Sequence, residues 1–432
     1  MTSGPLHDIT GDLLTGLFRH EAGRLVASLS RLFGPHNIDL AEDVVQDALE
    51  AALQSWKFKV PDNPAAWLTR VVRNRALDVI RHRGTERKFA AEYPQQLDSE
   101  WMLAATVDES LTEIAAAENQ IRMMYTICQA NLGEDTHVTL ILKFLCGFST
   151  HEIAAAYLTS DTIIDKRLQR GRSALKKMRS LAPQSVRSDR ECLGPVLAAL
   201  YLLFSEGYHG SHPATPVRSV LCEEAMRLCA MLTENAQDTI PAAHALMALM
   251  YLNFARLDGR LDHDGLLLPL EMQDRSGWNR GAIERGLLHL SKAAKGTELS
   301  RYHLEAGISS LHSVAPSVEE TNWPEVCRHY DLLYEQNRSP VVAVCRALAM
   351  AMMGDTEKAV VEIIGIGDHH QMLDYPFYWA ARGEIHARAG HTVETKQCFS
   401  RAAKCARNLP EQNAFLREDW WGRARSQPIP PM

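Results

Sequence analysis

Between Leu40 and Arg83 the chain carries two adjacent helical patterns of opposite charge, and this pairing limits the fold more than any other stretch. The first, LAEDVVQDALEAALQSW, places Leu40, Val44, Val45, Ala48 and Leu49 on one side at helical spacing. Asp43, Gln46, Asp47 and Glu50 fall on the opposite, solvent side. The break KFKVPDNP follows, in which Asn63-Pro64 is a helix-start signal with Pro at or near the first helical position. The second helix, AAWLTRVVRNRALDVIRHR, joins an apolar stripe (Leu68, Val71, Val72, Val79, Ile80) to Arg70, Arg73, Asn74, Arg75, Arg81, His82 and Arg83. That much cationic charge over a full core face suits docking on something anionic.

The words D-L-A-E-D-x-x-Q-D and N-P-x-x-W-L-x-x-x-x-x-N-x-x-x-D-x-x-R resemble region two of bacterial RNA polymerase sigma factors, specifically the extracytoplasmic-function group of the sigma-70 superfamily. The resemblance implies that the acidic helix binds the clamp coiled coil of core polymerase through Asp43, Gln46 and Asp47. It also implies that the basic helix and the loop before it, Lys57–Pro64, read the −10 element through Trp67, Arg70, Arg73, Asn74, Arg81 and Arg83. Asn74 has a donor and an acceptor for a base edge, and Trp67 offers a stacking face or a core side chain.

At 432 residues the chain suggests two to four domains. A mean hydropathy of -0.20 fits a globular protein, and no run approaches the roughly 18–20 apolar residues of a membrane span. MTSGPLHDITGDLL shows no basic leader before an apolar core, and the nine cysteines are scattered without a C-x-x-C. These features predict small buried thiols in a reducing compartment and a cytoplasmic location, with no membrane partner. The net charge of -7 looks unsuited to DNA until it is divided. Arg70–Lys88 holds seven Lys/Arg against Asp78 and Glu86, and Lys166–Arg179 holds seven against no carboxylate. Local stripes decide nucleic-acid binding, because counterion release depends on the phosphates neutralised at the contact.

Residues 12–33 predict an amphipathic helix stopped by Gly34-Pro35, packing Leu14, Leu17, Phe18, Leu25, Leu29 and Leu32 on the two charged helices. Residues 10–84 thus form a first helical domain. From 85 to 110 the pattern fades into an acidic stretch that reads as a tether. Residues 111–182 form a second helical domain. In it, Ser149 to Glu152 is a capping box opening a short helix that buries Ile153 and Ala154. Ser160 or Asp161 then caps a helix that buries Ile163 or Ile164, Leu168 and Leu175 and exposes Lys166, Arg167, Gln169, Arg170 and Arg172. A short helix, a turn and a basic helix make a helix-turn-helix, whose second member enters the major groove.

This segment resembles region four of the same sigma factors, which reads the −35 element; the resemblance assigns that role to Thr162, Lys166, Arg167, Arg170 and Arg172. Tyr157-Leu158 replaces the commoner leucine pair, and Asp165 would repel phosphate. His151-Glu152 begins an H-E-x-x-H word, but Ala155 occupies the second histidine's place, and His20, His36 and His82 have no ligand spacing. No metal or cofactor is expected.

Residues 190–425 are helical and rich in Ala, Leu and Met. AVCRALAMAMMGDTEKAVVEI and YWAARGEIHARAGHTVETKQCFSRAAK compare well, with Gly354 and Gly390 36 residues apart, close to the roughly 34-residue tetratricopeptide period. LLLPLEMQDRSGWNR, residues 266–280, departs from the helical rhythm. Three words, S-E-G-Y at Ser205–Tyr208, Q-D-R-S-x-W at Gln273–Trp278 and A-P-S-x-x-x-T-x-W at Ala315–Trp323, resemble those of sigma factors with a long tetratricopeptide-like C-terminal extension. Asp274 and Arg275 read as an internal ion pair or loop-closing hydrogen bonds, or else as a ligand site.

The expectation is therefore an all-α chain: two small sigma domains joined by a linker, then a tetratricopeptide-like domain that regulates activity or receives a protein partner. It would bind core RNA polymerase and promoter DNA without covalent chemistry, since no Gly-rich phosphate loop, nucleophile–base set or metal cluster is present in the sequence. A helix-turn-helix regulator acting without replacing the sigma subunit would leave Asp43, Gln46 and Asp47 unexplained. A tetratricopeptide scaffold would leave the basic faces unexplained.

Overall fold

The computed structural model describes residues 6–57, 59–84, 100–178, 190–210, 217–234, 240–367 and 372–417. The described residues are helical throughout, apart from turns and one isolated antiparallel bridge between Leu261 and Leu267. The chain divides into two compact units, Met1–Leu203 and Phe204–Met432.

The first unit is built on α1 (Leu6–Phe33), which ends at Gly34 with φ 81°, a conformation a side chain would strain. Leu25, Val26, Ala27 and Leu29 are buried, and Leu17 and Phe18 are partly so; Leu14's side chain lies outside the described residues. Helix α2 (Ile38–Ser55) buries Ala41, Val44, Val45, Ala48 and Ala52, an unbroken inner face. Helix α3 (Pro64–Gly84) starts as the sequence predicts, with Asn63 Oδ1 accepting from the amide of Ala66 at 2.9 Å and Pro64 at the first position. Leu68, Val72, Ala76 and Leu77 form its core face.

Residues 85–99 lie outside the described part of the tether, but its end is α4 (Glu100–Ser110), a helix against α1 and α3. Among its described side chains, Val107 and Ser110 in its last turn are buried, and Asp108 there pairs with Arg73. Helices α5 (Glu113–Cys128) and α6 (Glu134–Leu145) follow, the latter almost wholly buried. Next come α7 (Thr150–Ala156), opened by the Ser149/Glu152 capping box, and α8 (Asp161–Leu175). Of the two isoleucines, Ile164 is buried and Ile163 exposed. Helix α1 packs not only on α2 and α3 but also on α5 and α6. The two segments read as separate heads therefore share one compact unit. Gly23 makes this possible, since a Cβ there would stand 2.1 Å from the carbonyl oxygen of Leu145.

Helix α9 (Arg190–Tyr208) crosses the boundary between units. The second unit continues with α10 (Ser219–Glu234) and α11 (Pro241–Phe254), then three single 3-10 turns over residues 257–277, the last two of them within the stretch 266–280 expected to leave the helical rhythm. Helices α12 (Arg280–Ala293), α13 (Arg301–Val314) and α14 (Trp323–Gln336) precede two matching hairpins. The first hairpin is α15 (Pro340–Met353) with α16 (Thr356–Ile366), and the second is α17 (Pro376–Arg388) with α18 (Thr392–Cys405). Each begins at a proline, turns at a glycine of positive φ (Gly354, 105°; Gly390, 78°) and restarts at a threonine, in a 36-residue register. Small residues let the paired helices approach: Ala347, Ala349 and Ala351 in α15 and Gly383 in α17, the last against Phe399. Helix α19 (Leu409–Leu416) closes the described chain. All nine cysteines are free thiols, seven of them buried. Among the described residues no helix is long and apolar enough to cross a membrane.

Candidate functional site

With its inner face buried, α2 presents Asp43, Gln46 and Asp47 to solvent one turn apart. Asp47 pairs with Arg75 of α3, a contact in which both side chains remain well exposed. The neighbouring carboxylates turn elsewhere. Arg172 of α8 donates Nη1 to Asp39 at 2.8 Å and Nη2 to Glu42 at 2.9 Å, while Lys176 reaches Asp39 at 3.1 Å. The Arg172 guanidinium also lies 5.0 Å from the centre of the Phe144 ring.

On α3, Arg70, Asn74 and Arg81 are exposed and share one helical stripe. Arg73 differs: it holds Asp108 through two hydrogen bonds, and that guanidinium keeps the Asp108 carboxyl below its usual range. Trp67 is partly buried, edge-on to Trp56 at 5.3 Å between ring centres, and Trp56 in turn lies 5.4 Å from Phe18. It therefore joins the end of the core while keeping some exposed surface. The side chain of Arg83 and part of the loop before α3, Phe58, fall outside the described residues.

On α8, Thr162, Lys166 and Arg170 form an exposed line at four-residue spacing, with Gln169 and Asp165 beside it. Arg167 is turned in, donating to Asp135 at 2.8 Å and lying 4.9 Å over the Tyr157 ring. The ten described site side chains expected on α3 and α8 thus divide. Arg70, Asn74, Arg81, Thr162, Lys166 and Arg170 face out, Trp67 is shared with the core, and Arg73, Arg167 and Arg172 are held by carboxylates of the same unit.

One contact had no sequence signal. Arg19 of α1 grips Glu152 through both carboxylate oxygens at 2.8 and 3.1 Å. Glu152 thereby serves the capping box of α7 and the attachment of α7 to α1 together. The partners are 133 residues apart, a separation no local pattern encodes. Among the described residues no cluster of three or more His, Cys, Asp or Glu side chains has metal-site geometry.

Residues 17–86 match the Sigma-70 region 2 family, and residues 193–294 match a family of unknown function, DUF6596. An uncharacterized protein of Rhizobium meliloti strain 1021 is 30% identical over 403 residues, covering 91% of this chain and 91% of its own. No solved structure matches.

Proposed function

The chain belongs to the family of the Rhizobium meliloti protein and carries a Sigma-70 region 2, the mark of a sigma-70 family factor in transcription initiation; from this premise we propose that it is an extracytoplasmic-function-type sigma factor acting in the cytoplasm. Asp43, Gln46 and Asp47 engage core polymerase. The stripe of Arg70, Asn74 and Arg81, with Trp67, Arg73 and Arg83, engages the −10 element. The helix-turn-helix engages the −35 element through Thr162, Lys166 and Arg170, joined by Arg167 and Arg172 once their carboxylate partners let go. The C-terminal helical hairpins, tetratricopeptide-like in period, regulate this activity or receive a protein partner.

One observation carries the reading. Within the matched residues 17–86, an exposed acidic face and an exposed cationic and amide face occupy adjacent helices whose inner faces share a core. Direct phosphate neutralisation explains the second face but not the first; a protein partner explains the first.

The reading carries a conformational requirement. Elements about 10 and about 35 base pairs upstream are separated by about 85 Å of B-DNA. A compact unit of the size of Met1–Leu203 has a radius of gyration of about 17 Å. Reading both elements therefore demands that α8 leave α2, breaking the contacts of Arg172 and Lys176. Core polymerase binding to α2 is the natural trigger, because it competes for the same helix. Reconstitution with core polymerase on a promoter library tests the whole: start-site-specific RNA supports it, and DNA binding without initiation overturns it.

A further inference from the structure

The three words Ser205–Tyr208, Gln273–Trp278 and Ala315–Trp323, far apart in sequence, meet in the second unit around three arginines. Arg260, 5% exposed, lies 3.8 Å over the Tyr208 ring and donates to the Tyr208 carbonyl and, at 3.0 Å, to His209 Nδ1. Arg256 lies 5.8 Å from the same ring and 5.7 Å from that of Trp278, donating Nη2 to the Tyr208 hydroxyl and to Asn253. Arg275 lies 5.2 Å from Trp278 and donates to the carbonyls of His312 and Ala315 and to the Thr321 hydroxyl. Arg260, Tyr208, Arg256, Trp278 and Arg275 thus alternate cation and ring. The loop-closing role read for Arg275 in the sequence is present, but it accounts for only one of the three charges.

None of the three has a carboxylate within ion-pair distance among the described residues. Other arginines of this unit do: Arg218 with Glu206, Arg346 with Glu362, Arg407 with Glu411 and Arg417 with Asp262. Glu319 and Glu271 attract Arg275 from beyond ion-pair distance. The cation–π contacts of Arg256 and Arg260 return less than the desolvation of an ion costs, so the cluster is only partly compensated. It also holds donors without acceptors. Arg256 Nε and Trp278 Nε1 are buried with no hydrogen-bond partner, and Trp278 is only 3% exposed. Guanidinium and indole N–H groups together suit an anion with several oxygens.

We propose that the cluster of Arg256, Trp278 and Arg275 binds a small oxyanion, the phosphate or carboxylate group of a soluble ligand. The bound anion takes the spare donors of Arg256 and Trp278 and neutralises the arginines around them. It thereby ties the end of α9, the 3-10 turns and the segment after α13 to one another. This site is independent of the DNA-reading faces, so its test needs neither polymerase nor promoter.

Calorimetric titration of the full chain with inorganic phosphate and, separately, with citrate, at ionic strength held constant with sodium chloride, decides the matter. Saturable binding of phosphate alone assigns a phosphoryl ligand, and of citrate alone a carboxylate. Arg256→Gln weakens that binding at least about tenfold, Trp278→Phe weakens it while keeping an aromatic ring in place, and the exposed control Arg338→Gln leaves it unchanged. Should Arg256→Gln fail to fold by circular dichroism, Trp278→Phe decides alone. Saturation by neither anion, or unaltered binding in the folded variants, overturns the proposal.

Discussion

Asp43 and Asp47 stand on the one face of α2 that the core does not use, so their charge affects binding far more than folding. Reversing both, Asp43→Lys with Asp47→Lys, removes one exposed pair with Arg75, worth about 1 kcal/mol or less. The double variant is expected to melt within about 1 kcal/mol of the parent, yet to lose core polymerase in fluorescence anisotropy. Parent-like affinity in the folded variant refutes the assignment of that face. The cationic residues make a different prediction. Arg70 and Lys166 are exposed, and as phosphate contacts each Ala substitution should weaken promoter binding across sequences and lower the salt slope by about 0.9. An unchanged slope for both removes them from the interface. These positions were legible because helical periodicity alone separates the buried from the exposed face. What periodicity does not tell is whether an exposed-face cation finds an internal carboxylate. Arg73, Arg167 and Arg172 do, through Asp108, Asp135 and the Asp39/Glu42 pair, and none of those partners lies within 30 residues.

Elements began where local chemistry says they should: α3 at Asn63-Pro64 and α7 at the Ser149 capping box. Both signals are side-chain hydrogen bonds within three residues, and a sequence displays those directly. Helix α4 was not read from the sequence because the contact that fixes its last turn is tertiary: Asp108 pairs with Arg73, 35 residues away. The docking of α1 on α6 was invisible for the same reason, being a close backbone approach at Gly23. That approach is testable. Gly23→Ala sets a methyl 2.1 Å from the Leu145 carbonyl oxygen, a backbone atom that also accepts from Gln120, so the helices must separate. The expected loss in a urea melt is about 1–3 kcal/mol, with faster amide exchange over Glu134–Leu145. Arg172→Ala, which removes only partly exposed pairs, should cost less, about 1 kcal/mol. If Gly23→Ala melts like the parent, the close packing of α1 on α6 is not a feature of the folded protein in solution.

At the scale of the molecule, the 36-residue repeat was readable from Gly354 and Gly390, since a helix C-terminus in the left-handed region selects glycine. The convergence of Tyr208, Trp278 and Thr321 was not, because it depends on how successive hairpins stack. Stacking also sets how the second unit responds to acid. Burial holds six of its histidines, His209, His244, His289, His303, His312 and His386, below their ordinary range. His289 is pushed down to about 4 and His312 to about 3, with nearby His244 and the arginines 256 and 275 adding to the effect. A base with a depressed folded pKa is neutral in the fold but takes up a proton on unfolding once the pH falls below about 6.5. Its contribution to stability is therefore full above that value and is lost as the pH falls towards 4 for His289 and 3 for His312, at about 1.4 kcal/mol per unit of depression at most. Several such groups act on one unit in the same direction. Amide exchange followed by mass spectrometry at pH about 7.5 and about 5 should show residues 240–367 losing protection, while residues 17–57 lose less. Replacing His289 by Phe, which cannot take up a proton, should reduce the acid loss in α11 and α12. Equal loss in both units, or no change with His289→Phe, would mean that carboxylates rather than these imidazoles govern the acid response.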